Sequence, residues 1–526
     1  MRTEESVGVA GAAEGSTGRE RPPRAGWFAA LAGVVAAGST FGVGQLIAGI
    51  VAPAAAPIVV VGSAVVDRVP AAVKDFAIRS FGTNDKTVLL VIIAAIVVVL
   101  AALAGVLARR RLALGVGLVA VLGVVALVAA ATRPDATALS PLPSLLGAAA
   151  GAFTLTFLIR RLARPASDGG PPRRVLLLGG VAAAAALTGG GGQLLVKTRT
   201  AAQSRAKVVL PAPADPAPAL PAGLDPADLI ASGLTTYATK TDDFYRIDTA
   251  LVVPELTAED WTLRIHGMVE KELTLTFQDL LGLPLRERWI TLTCVSNEVG
   301  GTYIGNARWL GYPLKDLFEQ VGIRAGADML YATSSDGFTL GAPVAETTDG
   351  RDAMLVVGMN GEPLPSEHGF PVRMVIPGLY GYVSACKWVT DIEVTTFASK
   401  TAYWTDRGWA AKGPIKTASR IDVPKSFAKV RAGRVPVAGV AWAQHRGVQG
   451  VEVRVDQGEW VPAKLVPSVS SDTWCQWVYD WDASEAGSHV IEARVTDATG
   501  ALQTDEVAAP APDGASGYDS VTLTVS

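Results

Sequence analysis

Trp289-Ile-Thr-Leu-Thr-Cys294-Val-Ser-Asn-Glu-Val-Gly-Gly301 is a β-prone run that stops at a cysteine. The residues up to Thr293 alternate and include β-branched and aromatic side chains, the pattern of a strand. The polar and glycine residues beyond the cysteine mark a loop. Cys294 therefore stands at a strand end, where a thiolate suits a nucleophile, a redox centre or a metal ligand. A lone cysteine is more often a small buried hydrophobe. Spacing alone favours that reading, and the residues that overturn it lie downstream.

At 526 residues the chain has room for several domains, and its net charge of −3 argues against nucleic acid as a partner. Apolar content is uneven. Residues up to about Lys197 are dominated by Ala, Val, Leu and Gly, whereas nearly all acids and aromatics lie beyond. The three cysteines, Cys294, Cys386 and Cys475, form neither a CxxC pair nor a disulfide framework, and a bridge between two of them is left open.

The first part reads as an all-α transmembrane bundle. Apolar stretches near Trp27–Val51, Thr87–Ala108, Leu112–Ala131, Pro143–Ile159 and Val175–Val196 approach the roughly 20 residues that cross a bilayer. Ile58–Val66 is too short and is stopped by Asp67 and Arg68. The stretch from there to about Phe81 reads as amphipathic and interfacial. Arg19, Arg21 and Arg24 precede the first span, Arg109–Arg111 join the second to the third, and Arg160, Arg161, Arg164, Arg173 and Arg174 join the fourth to the fifth. The positive-inside rule makes these ends cytoplasmic. The expected order is a cytoplasmic tail (1–26) and a five-helix anchor (27–197) in the cell membrane, with everything after it extracytoplasmic. Arg173-Arg174-Val-Leu-Leu-Leu also resembles a twin-arginine export signal, although paired arginines before a span are common. His266, His368, His445 and His489 all lie outside the anchor, so it holds no bis-histidine haem site. Its spans also lack the ionisable residues of a proton or ion path.

A Pro/Ala-rich linker (198–228) is expected to stay unpacked and to space the next domain from the bilayer. Residues 229–418 have an α+β texture, with strands at Trp261–Met268 and Arg288–Cys294 and helices at Phe277–Leu283 and Tyr312–Val321. Residues 419–526 carry short alternating segments split by turns, the pattern of a β-sandwich. Tryptophans 404, 409, 442, 460, 474, 477 and 481 are expected in core or interface, with Cys386 and Cys475 packed.

Downstream of Cys294, His368-Gly-Phe-Pro-Val-Arg373 and Ser384-Ala-Cys-Lys387 place directed donors among glycines and prolines. Arg and Lys hold phosphate, and His and Ser supply oriented hydrogen bonds, so the cluster suits an anionic, heteroatom-rich ligand. Here the chain resembles the sulfite oxidase superfamily of molybdopterin-dependent oxidoreductases. The resemblance runs from about Phe244 to the end. It rests on the strand-end cysteine, Trp309-Leu-Gly-Tyr-Pro-Leu-Lys-Asp-Leu317, Ser335-Asp-Gly-Phe338, Met359-Asn-Gly-Glu-Pro-Leu-Pro365, His368-Gly-Phe-Pro-Val-Arg373 and Lys387-Trp388. Ala438-Gly-Val-Ala-Trp442 and Ala493-Arg-Val-Thr-Asp497 look like the family's immunoglobulin-like dimerisation domain, implying a homodimer.

The resemblance implies that Cys294 is the protein ligand to molybdenum. His368, Arg373, Ser384 and Lys387 would hold the pterin and its phosphate, with Asn297 and Asp336 beside them. Sulfite oxidases carry a tyrosine three residues before the Asn of Met-Asn-Gly, and here that residue is Val357. Phe244-Tyr-Arg246-Ile-Asp248 contains an arginine near the family's substrate arginine. These departures favour a sulfoxide or S-oxide reductase over sulfite oxidation. No haem-binding segment is visible, so electrons are expected to pass through a separate carrier. The reading from another class is a non-catalytic, membrane-anchored binding or receptor module on the same fold.

Overall fold

Each apolar stretch of the first 197 residues forms a helix: α1 (Arg24–Val51), α2 (Pro57–Arg68), α3 (Asp85–Arg110), α4 (Leu112–Ala131), α5 (Leu142–Leu162) and α6 (Arg173–Thr198). The structure is a computed structural model that describes residues 24–51, 55–69, 85–133, 136–163, 173–198, 201–250 and 252–526. Most of the predicted tail (1–26), including Arg19 and Arg21, lies outside the described residues, as do Arg164 and the interfacial segment beyond residue 69. Among the described residues, α1, α3, α4 and α5 are long and apolar enough to cross a bilayer. Helix α2 is short, and α6 carries a shorter apolar stretch at Leu178–Gly191. The expected count of five spans rests on α6.

Helix α1 packs against α3 and α5, and α4 packs against both of those. The α1–α3 contact is made backbone to backbone. A Cβ on Gly33 would lie 1.9 Å from the Ala101 carbonyl oxygen, and one on Gly105 would lie 1.9 Å from that of Ala29. Only glycine permits that approach. Val91, Ile92, Ile96 and Val99 of α3 are left exposed on the bundle's outside.

The second compact unit holds both remaining parts. Its first ten strands are β1 (Thr262–Gly267), β2 (Leu273–Thr276), β3 (Arg286–Thr293), β4 (Ile304–Pro313), β5 (Met329–Ser334), β6 (Thr339–Pro343), β7 (Met354–Met359), β8 (Glu362–Pro363), β9 (Arg373–Val375) and β10 (Val389–Thr395). One sheet runs β2-β1-β10-β5-β6, with β1 and β10 parallel. The other runs β3-β4-β7-β8, with β9 also on β7. A shared core that includes Trp261, Trp309, Phe318, Phe370 and Val394 joins them. The amphipathic helix α7 (Leu314–Val321) closes it with Leu314, Leu317, Phe318 and Val321.

The C-terminal part has β11 (Ala418–Val423), β12 (Lys429–Val430), β13 (Gly433–Trp442), β14 (Val448–Val455), β15 (Val461–Pro462), β16 (Lys464–Leu465), β17 (Cys475–Ala483), β18 (Gly487–Asp497) and β19 (Asp519–Val525). Sheets β11-β13-β17-β16 and β12-β19-β18-β14-β15 enclose one core of Val437, Val453, Trp477, Ile491 and Leu523. Trp442, Trp474, Trp477 and Trp481 are buried, as expected.

The linker expectation needs correction. Residues 201–226 lie along the unit as a strap rather than standing free. The Ser204 hydroxyl donates to Glu259 at 2.6 Å, and Arg205 Nε donates to the Pro363 carbonyl at 3.0 Å. Asp215 forms a β-bridge with Arg286, and Val208 and Leu210 pack on the core. Proline removes amide donors, yet some amides left between the prolines find partners: Ala214 N–H donates to the Leu285 carbonyl at 2.8 Å and Asp225 N–H to Gln476 Oε1 at 3.0 Å.

Strand β3 also departs from a simple alternation. Its last four residues, Ile290 to Thr293, are all buried. Ile290 and Leu292 enter the first core, while Thr291 and Thr293 face the C-terminal part. Thr291 Oγ1 accepts from the Trp474 amide at 2.8 Å, and Gln444 Nε2 donates to Thr293 Oγ1 at 3.0 Å. The strand that presents Cys294 is therefore held from both faces.

Candidate functional site

Strand β3 ends at Thr293, and Cys294 opens a turn whose amide bonds to the Tyr303 carbonyl at 2.9 Å. The thiol is free and only 9% exposed, and it lines a cleft in the second unit. Burial pushes its pKa up, against hydrogen bonds from Ser296 that pull it down. Cys386 and Cys475 are free and buried elsewhere, each making only a long contact to a carbonyl.

The same cleft receives Asp336, His368, Arg373 and Lys387. His368 ends a turn whose next residue, Gly369, has φ +108°. That turn folds back so that Arg373, at the start of β9, and Lys387, before β10, lie side by side. A Cβ on Gly369 would meet the Arg373 Cβ at 3.0 Å and the Lys387 Cβ at 3.1 Å. Arg373 is 5% exposed, and its guanidinium donates to the His368 carbonyl at 3.1 Å and stacks 5.1 Å above the Trp309 ring. Its Nε has no partner at all. Desolvation lowers its pKa to about 10, a sign of a cation lacking an anion. Lys387 Nζ pairs with Asp248 at 2.8 Å and lies over Trp388, and burial still lowers its pKa to about 8. Burial, then the charges of Arg373 and Lys387, lower His368 to about 4, so its ring is neutral near pH 7. Burial raises the Asp336 carboxyl, which accepts from the Phe338 amide.

Two expected residues stay out of the cleft. Asn297 Oδ1 accepts from the Tyr303 amide at 2.7 Å and braces the turn after Cys294. Ser384 is fully buried, and its hydroxyl donates to the Leu379 and Tyr380 carbonyls at 3.0 Å. Both bond to nearby backbone, the usual habit of Asn and Ser in turns and short helices. Val357 is likewise buried in the core and does not line the cleft.

Other cleft residues carry no motif that marks them. Tyr245 lies beside Cys294 and Arg373, and burial raises its hydroxyl above the ordinary tyrosine range. Asp248 lies in the Phe244–Asp248 stretch, where only Arg246 attracts attention. Trp404 and Trp409, expected in core or interface, instead line the cleft with Tyr382 and Phe338. Their distance in sequence from Cys294 leaves no local signal.

Residues 250–404, which hold these loops, match the family described as the oxidoreductase molybdopterin binding domain. The chain is 32% identical to the uncharacterized oxidoreductase YuiH of Bacillus subtilis over 157 residues, covering 29% of this chain and 74% of that protein. It is 26% identical to sulfite oxidase of Arabidopsis thaliana over 330 residues, covering 54% of this chain and 82% of the relative. With mitochondrial sulfite oxidase of Mus musculus the identity is 32% over 258 residues, covering 41% of this chain and 47% of the relative. Against the animal sulfite oxidases the match spans about half of their length. The motifs, the cleft they build and these likenesses agree: the chain belongs to the sulfite oxidase superfamily of molybdopterin-binding oxidoreductases.

Proposed function

We propose that the chain is a membrane-anchored, extracytoplasmic oxidoreductase that transfers an oxygen atom to or from a small substrate and exchanges electrons with a separate carrier. One observation carries the reading: a strand-end thiol shares its cleft with a buried guanidinium whose Nε lacks a partner. The donor set fits a molybdenum–molybdopterin group. A soft thiolate suits a metal already held by sulfur donors. Among the described residues no group of three His, Cys, Asp or Glu side chains is placed to hold a metal ion, and the metal's other donors would arrive with the cofactor. When bound, that group supplies the two-electron redox chemistry, and the protein orients it.

The chain's own residues do the rest. Cys294 would give up its proton to become the protein ligand. Arg373 and Lys387, short of water, would take a phosphate and regain the stabilisation that burial costs them. Neutral His368 offers a donor on one ring nitrogen and an acceptor on the other, while Asp336 accepts N–H groups. Asn297 and Ser384 would act at one remove by fixing the loops. The aromatic walls exclude water from the reacting centre.

Arginines at the ends of α3, α5 and the start of α6 support cytoplasmic loops there and an extracytoplasmic cleft. The two-sheet C-terminal part supports an immunoglobulin-like, dimerisation-type domain. The test is metal and pterin analysis of the full chain matured in a molybdopterin-competent host. About one molybdenum per chain is expected, given a single Cys294-centred cleft. A metal-free but folded protein would reject the enzyme. Cys294→Ser should abolish turnover and metal retention while the far-ultraviolet circular dichroism stays unchanged, and an undiminished rate would remove Cys294 from the chemistry.

A further inference from the structure

One carboxylate in the cleft holds two cations. Asp248 Oδ2 lies 2.9 Å from Arg246 Nε and 2.8 Å from Lys387 Nζ. The Asp248 side chain is 3% exposed and that of Lys387 10%, whereas Arg246 keeps 39%. Arg246 does not line the cleft, and its charge is already answered by Asp248. Arg373 lies deeper and is suited to the cofactor. His368 carries no charge near neutral pH, and burial raises the Asp336 carboxyl, which leaves Asp248 as the cleft's paired carboxylate. With a phosphate seated on Arg373 and Lys387, the Asp248 carboxylate still stands in the cleft wall beside its cations and disfavours a second anion there.

The wall is aromatic. Trp404 and Trp409 meet edge to face with centroids 6.2 Å apart, Tyr382 stands 6.1 Å from Trp409, and Phe338 also lines the cleft. Such walls bind polarisable, partly apolar molecules and offer no pairing to a small dianion.

From this geometry we infer that Asp248 is a specificity-determining residue: with the Trp404–Trp409 wall, it makes the cleft select neutral S-oxides bearing an apolar arm over small anions such as sulfite. The inference deepens the proposed function and rests on it for the word substrate. The charge selection, however, belongs to the chain's own side chains and can be measured apart from turnover.

The test uses the full-length, cofactor-loaded protein in detergent. Binding of methyl phenyl sulfoxide and of sulfite is read from tryptophan fluorescence, with Trp404→Phe identifying the reporter. The sulfoxide should bind at least about tenfold more tightly than sulfite. Asp248→Asn should close that gap by about tenfold through tighter sulfite binding, leaving sulfoxide affinity within about threefold. Arg246→Leu, at a partly exposed side chain where folding is not at stake, should change sulfite affinity by less than about threefold. If Asp248→Asn does not fold, the wild-type and Arg246→Leu measurements decide the matter. Equal affinities in the wild type, an unchanged ratio in a folded Asp248→Asn, or a tenfold loss of sulfite binding in Arg246→Leu would each overturn the inference. Molybdenum content on the same samples reports on the oxidoreductase reading. If it is zero, the two probes are compared with inorganic phosphate saturating the cleft, and discrimination there upholds the role of Asp248 while the proposed enzyme falls.

Discussion

His368 sits out of water between two cations, and that decides its protonation. Its folded-state pKa, about 4, lies below the ordinary value of 6.5. A depressed value means that its contribution to stability is complete above the unfolded pKa and is lost as pH falls from about 6.5 through 4. The loss is on the order of 3 kcal/mol. Carbon-13 labelling of the protein's 4 histidines would resolve this by NMR. His368 should titrate near 4, whereas His445 and His489, bonded to Asp472 and Asp456, should titrate above the usual range. A His368 midpoint near 6.5 would contradict its burial. At this scale the sequence motifs point to Cys294, Asp336, His368, Arg373 and Lys387, which the fold brings to one cleft, because loop chemistry and family pattern coincide in them. Asn297 and Ser384 stand outside the cleft lining and bond to backbone, and sequence does not separate that from ligand contact because a short polar side chain near glycine looks the same in both. Asp248 and the two tryptophans are illegible for another reason: their role exists only where distant loops converge.

Among the elements, the turn through Gly369 is constrained by both crowding and backbone conformation. An added methyl would meet Arg373 and Lys387 atoms at 3.0–3.2 Å on a backbone with φ +108°. Gly369→Ala should destabilise the protein by about 1–3 kcal/mol. It should also lower molybdenum retention, because both cations are displaced together. Thermal melting and metal content measure the two effects, and an unchanged melting temperature would refute the crowding. Gly33→Leu tests the anchor in the same way: α1 and α3 cannot close on a leucine, so the detergent-solubilised protein should melt earlier. The helices and most strands are readable from period and length. The aromatics of β17, in the middle of its sheet, are expected only as core or interface, although Trp477, Tyr479 and Trp481 alternate along the strand. The two-sided burial of β3 is hidden. Threonine suits both a wet face and a buried one that supplies hydrogen-bond partners.

At the scale of the second unit, residues on both sides of positions 418 and 419 pack into one core. Tyr237, Val295, Ile304 and Tyr380 share a core with Val440, Trp442 and Trp474. Trp474 Nε1 donates to the Tyr237 carbonyl at 2.9 Å, and Arg420 donates to that of Gly301 at 2.9 Å. Trp474→Ala should cost about 3–5 kcal/mol. It should lower one shared transition rather than split it in two, as calorimetry would read. Two separate transitions in the wild type would reject the coupling. The threonines of β3 carry a further consequence, for the timing of synthesis. Thr291 waits for the Trp474 amide, 183 positions later in the chain. At ~5–20 residues per second, the ribosome takes roughly ten to forty seconds to supply it. Until then the strand bearing Cys294 has one bare face, so the cleft is finished only after Trp474 has left the ribosome, and a cofactor that needs the finished cleft waits for it.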